Sequence, residues 1–94
     1  MAADFESLRN YYERQVVEQV LKQAPHFPLM TEENLPDVAC VALNRLPPRY
    51  IRHEVDLAFY LTEKERTTNE RQVIDAVKYA FEFVQARFAM RARR

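Results

Sequence analysis

Between residues 5 and 24, Phe5, Leu8, Tyr12, Val16, Val20 and Ala24 recur every three or four positions, and Val17 and Leu21 widen the stripe. That is the period of a helix with one buried face. Arg9, Glu13, Arg14, Glu18 and Lys22 fill the opposite side, with Glu18 and Lys22 in the favourable order for an (i, i+4) pair. The pattern predicts a first helix over 5–24, with Asp4 as N-cap and Pro25 as its stop.

The connector 25–36, PHFPLMTEENLP, holds three of the five prolines. One helical turn is expected at Thr31–Asn34. Phe27, Leu29 and Met30 are expected to pack back on the core, with His26 exposed in the loop. Val38–Leu43 is then apolar without a break. Pattern alone does not separate a buried strand from a buried helix here. Pro36 at its start and Pro47-Pro48 after it favour a helix from about Pro36 to Leu46. A helix that is apolar on all sides must be surrounded, so Cys40 reads as a small core residue. The double proline locks the exit in an extended geometry and fixes where Arg45, Arg49 and Tyr50 point.

Residues 49–61, RYIRHEVDLAFYL, mix β-propensity with a helical turn. The reading is an extended segment at 49–53 followed by an irregular or short-helical stretch, with His53 in a satisfied structural role. Thr62 and Glu65 form a capping-box pattern that opens a long last helix over about 63–90. One of its faces carries Val73, Val77, Ala80, Phe81, Val84 and Phe88. A second carries Ala76, Tyr79, Phe83, Ala86 and Met90. Together they exceed the stripe that one core needs. A second chain covering one face, as a two-fold homodimer, is the expected solution.

Composition narrows the class. The 94 residues make one domain, 1–94, and glycine is absent. Phosphate-cradling glycine loops, dinucleotide fingerprints and nucleophile elbows are thereby excluded, and tight hairpins are disfavoured. The expected fold is all-α: a small helical domain with a long C-terminal helix and a short extended segment after the Pro-Pro turn. The formal net charge is zero, yet residues 1–82 carry four net negative charges and residues 83–94 four positive ones. The basic tail, about 87–94, is suited to nucleic acid or anionic lipid, or is a solvated helix end whose arginines complement the helix dipole. No signal peptide and no membrane-length apolar stretch are visible, and a cytoplasmic location is expected.

An enzyme needs a nucleophile with a base, paired carboxylates or metal ligands. The one cysteine falls in the apolar run, and the two histidines lie in different segments without ligand spacing. No catalytic residues and no cofactor are expected. Binding is better served. Asn44, Arg45, Arg49 and Tyr50 place donors, cations and an aromatic near a rigid bend. Arginine forks match phosphate oxygens and the acceptor edge of guanine, and tyrosine offers a face for base stacking. Asp37 or Glu13 could accept from guanine N–H groups. The candidate ligand-binding set is Asp37, Asn44, Arg45, Arg49 and Tyr50, and a small anionic nucleotide suits it. The same residues also have structural uses: Arg45 as a helix cap, Arg49 as an ion-pair partner, Tyr50 as core.

The run Asp37-Val-Ala-Cys-Val-Ala-Leu-Asn-Arg-Leu-Pro-Pro-Arg-Tyr50, continuing through Ile51-Arg52-His53, resembles the signature of the late competence development protein ComFB family. The Ala42–Tyr50 core is its specific part, and the layout of helix, connector, signature and long final helix extends the likeness over nearly the whole chain. The resemblance implies a small, mainly helical domain that dimerises, in a family with members linked to cyclic di-GMP binding. Some members carry a cysteine cluster before the signature that resembles a structural zinc site. Here the connector has none, so no metal is expected. The expectation is a dimeric receptor for a cyclic dinucleotide, cyclic di-GMP above others, that relays the signal to a protein partner. The alternative is a scaffold or nucleic-acid-associated competence factor that takes no small ligand.

Overall fold

The structure, a computed structural model, describes residues 3–92. Arg93 and Arg94 of the basic tail lie outside the described residues. The elements in order are β1 (Arg9–Asn10), α1 (Tyr12–Gln23), a 3-10 turn (Ala24–His26), a second 3-10 turn (Glu32–Asn34), α2 (Leu35–Arg45), β2 (Tyr50–Ile51), α3 (Glu54–Tyr60) and α4 (Glu63–Ala92). The all-α expectation holds, with one two-residue antiparallel pairing, β1 on β2, added to it.

The core is the three-way contact of α1, α2 and α4. Tyr12, Val16 and Val20 come from α1, Val38 and Ala42 from α2, and Val73, Val77, Ala80, Phe81 and Val84 from α4. Phe81 is fully buried and stacks on Phe27 of the connector at 4.5 Å between ring centroids. Burying a phenyl ring of this kind contributes about 2–3 kcal/mol, and the stacked partner adds to that. Thr62 caps α4 as expected, its Oγ1 accepting from the Glu65 N–H at 3.1 Å.

Several expectations are corrected. The first helix begins at Tyr12, not Phe5. The Asp4 carboxylate accepts from the Glu6 N–H at 3.1 Å in a local turn, and β1 then pairs with β2, so Phe5 and Leu8 lie outside the core. On the exposed side of α1, Glu18 pairs with Arg14 at 3.4 Å. In the connector, Leu29 is exposed while Phe27 and Met30 pack on the core. Cys40 is exposed. α2 buries the stripe Val38, Ala42 and Leu46, spaced at four residues. Cys40 stands two residues from Val38, about 200° around the helix, and faces away. His53 is an exposed residue at the start of α3.

Apolar surface therefore remains uncovered. A groove of about 610 Å³ between α1 and α2 is lined by Val17, Leu21, Leu35, Ala39 and Leu43 among others. On α4, Ala76 is buried, but Tyr79, Phe83 and Met90 of the second face are exposed.

Candidate functional site

The signature segment leaves α2 abruptly. Leu46 precedes Pro47, and the Cδ of a following proline clashes with a helical residue before it. Leu46 is accordingly extended, at φ −98° and ψ 143°, while its own side chain stays buried. Its N–H donates to the Leu43 carbonyl at 3.3 Å and closes the helix. Pro47, Pro48, Arg49 and Tyr50 then run along the protein surface to β2, all four exposed.

What holds this exit is the start of α1. The Tyr11 N–H donates to the Arg49 carbonyl at 2.6 Å, and the Arg49 N–H donates to Asn10 Oδ1 at 3.3 Å. Asn10 and Tyr50 are register partners in the β pair, as are Arg9 and Ile51. The Arg52 Nε donates to Ser7 Oγ at 3.2 Å on the same side. The backbone of Arg49–Ile51 is thus tied down while the Arg49 and Tyr50 side chains are left outside and Ile51 is half-buried. Tyr50 is 66% exposed, so it is not a core residue.

Arg45 does something the residue pattern did not reveal. Its guanidinium lies over the Tyr79 ring, 3.7 Å from the centroid. Tyr79 stacks with Phe83 at 6.0 Å, and Arg87 sits 5.8 Å over Phe83. The result is a cation–aromatic–aromatic–cation ladder along an exposed flank of α4. A cation over an aromatic face is held electrostatically while its in-plane N–H donors point outward. Arg45 also lines a shallow cavity of about 250 Å³ with Pro47, Gln72 and Asp75.

Of the other two candidates, Asn44 lies at this end and Asp37 does not. Asn44 is exposed and bonds back along its own helix, its Nδ2 donating to the Cys40 carbonyl at 2.9 Å within α2. Asp37 is in the first turn of α2, about 12 Å along the axis from Arg45. There it lines a cleft of about 280 Å³ with Cys40, Phe83, Arg87, Phe88 and Arg91. Glu13 serves the start of α1, its carboxylate accepting from the Asn10 N–H at a long 3.5 Å. Arg45 thus stands in the last turn of α2 against Tyr79, Arg49 and Tyr50 follow four and five residues on against the start of α1, and Asp37 lies at the opposite end of the helix.

Beneath Arg49 is a buried polar pair. The Tyr12 hydroxyl donates to Asn69 Oδ1 on α4 at 3.4 Å, and Asn69 Nδ2 has no hydrogen-bond partner among the described residues. Burial pushes the Tyr12 phenol above its ordinary pKa. The positive charge of Arg49 opposes that shift, and the neighbouring Tyr11 adds to it. Arg49 is thus close enough to be felt inside the fold although it is exposed. Asn10, Tyr79 and Asn69 are the residues that the reading of motifs missed. Only Asn10 had a legible signal: Asn10-Tyr-Tyr-Glu13 is itself a capping-box pattern.

Among the described residues, no helix is long and apolar enough to cross a membrane, and no group of three or more His, Cys, Asp or Glu side chains comes together. Residues 9–87 match the family model of the late competence development protein ComFB. No curated protein matches the chain.

Proposed function

The chain belongs to the late competence development protein ComFB family, and from that premise we propose that it is a signalling protein that binds a cyclic dinucleotide, cyclic di-GMP, and relays the signal to a protein partner. The observation that carries this reading is the contrast within the signature. The backbone of Arg49 and Tyr50 is fixed by hydrogen bonds to Tyr11 and Asn10, and both side chains are exposed. A segment kept only for packing would bury its tyrosine. A backbone already tied by hydrogen bonds has less freedom left to lose when its side chains take up a ligand.

Arg49 and Arg45 supply guanidinium donors for the phosphates or the guanine acceptor edge, and Tyr50 supplies a stacking face. Tyr79 keeps Arg45 in place at this end. Asp37 joins the contact set only where the ligand or a second protomer spans the length of α2. Asn44 contributes by holding the last turn of that helix. The exposed Tyr79–Phe83 flank is the surface on which two protomers pair.

A thermal-shift titration tests the reading. At a cyclic di-GMP concentration about one hundred times Kd, the midpoint should rise by on the order of 10 °C. No shift at high micromolar ligand would remove the proposal.

A further inference from the structure

Asn10 carries two loads with one oxygen. Tyr11 has helical dihedrals, φ −50° and ψ −35°, so the helical backbone of α1 effectively starts there and Asn10 acts as its cap. Asn10 Oδ1 accepts from the Tyr12 N–H at 3.1 Å, and the Glu13 carboxylate accepts from the Asn10 N–H, the reciprocal arrangement of a capping box. The same Oδ1 also accepts from the Arg49 N–H at 3.3 Å, across 39 residues of sequence. A cap needs only the first of these bonds. The second reaches the one segment whose side chains are displayed on a tethered backbone.

We infer that Asn10 is a positioning residue for the signature: its carboxamide oxygen fixes the Arg49 backbone, and with it the direction in which the Arg49 and Tyr50 side chains leave the fold. Its effect on ligand affinity rests on the cyclic dinucleotide reading above; its effect on the Arg49 backbone does not. Serine caps helices as well as asparagine does, but its hydroxyl is one bond closer to the main chain and falls short of Arg49 while serving α1. Aspartate keeps both the reach and the acceptor, and its charge suits a helix N-terminus.

The experiment compares wild type, Asn10→Ser and Asn10→Asp by thermal midpoint, amide hydrogen exchange at Arg49 and calorimetry with cyclic di-GMP. Asn10→Ser should keep the wild-type midpoint, exchange the Arg49 amide at least about tenfold faster and bind about tenfold more weakly. Asn10→Asp should restore both the protection and the affinity. Unchanged Arg49 protection in Asn10→Ser overturns the inference, as does a loss of affinity that merely follows a loss of stability. If wild type gives no heat with cyclic di-GMP, the ligand reading falls, and the exchange data still decide whether Asn10 sets the Arg49 backbone.

Discussion

Beneath the exposed Arg49 and Tyr50, α1 and α4 meet at Tyr12. The Tyr12 phenol is buried, bonded to Asn69 and within the field of Arg49. Removing its hydroxyl leaves the Asn69 carboxamide without its hydrogen-bond partner among the described residues. Tyr12→Phe should therefore destabilise the fold by about 1–2 kcal/mol, measurable by urea unfolding. The same residue sets an alkaline limit. Its folded-state pKa is raised above the unfolded value near 10, so burial favours the neutral phenol. That contribution is complete below about pH 10 and is lost as pH rises through the elevated folded-state pKa. Stability against pH should decline there in wild type and decline less in Tyr12→Phe.

At the scale of elements, the helices were legible and their partners were not. α2 and α4 fall within two residues of their expected ends, because Pro36, Pro47-Pro48 and the Thr62–Glu65 box are local signals that act on the backbone directly. The turn at Glu32–Asn34 and the extended-then-helical course after Arg49 follow the same logic. The start of α1 was misplaced because Phe5 and Leu8 keep helical spacing with Tyr12, yet the β1–β2 pairing is a contact across some 40 residues that spacing cannot express. Cys40 was misjudged because an unbroken apolar run does not say how much of its circumference is covered. In the candidate site, Arg49 and Tyr50 were recognisable from the Pro-Pro bend. The tie to Asn10 and the stacking of Arg45 on Tyr79 depend on the helices' arrangement and left no trace in the residue order. The element that binds the core together is α4, through Phe81. Phe81→Ala should cost about 3–5 kcal/mol and, in a domain of this size, abolish cooperative unfolding at 37 °C, as followed by circular dichroism.

For the molecule as a whole, α4 is longer than the core it serves. Its buried positions run from Asn69 to Val84, and the helix continues to Ala92 with Phe88 and Met90 exposed. Its Tyr79–Phe83 flank is exposed too, each ring at 38%. A helix so apolar on two sides would be relieved by the pairing with a second copy proposed above. Light scattering at micromolar concentration should give twice the chain mass, and Phe83→Glu should shift the population to monomer without loss of helical content. A monomeric wild type would remove the dimer from the proposal and leave the ligand end of α2 untouched.

The tethered backbone and displayed side chains of Arg49 and Tyr50 are the centre of the functional reading. Calorimetric titration of wild type and Arg49→Ala with cyclic di-GMP, at matched thermal midpoints, tests it most directly. The expected result is saturable heat for wild type and at least about a tenfold weaker Kd for Arg49→Ala, the loss of one or more charge-assisted hydrogen bonds. Wild-type heat with an unchanged Kd in Arg49→Ala would contradict the site, and no wild-type heat at high micromolar ligand would contradict the function.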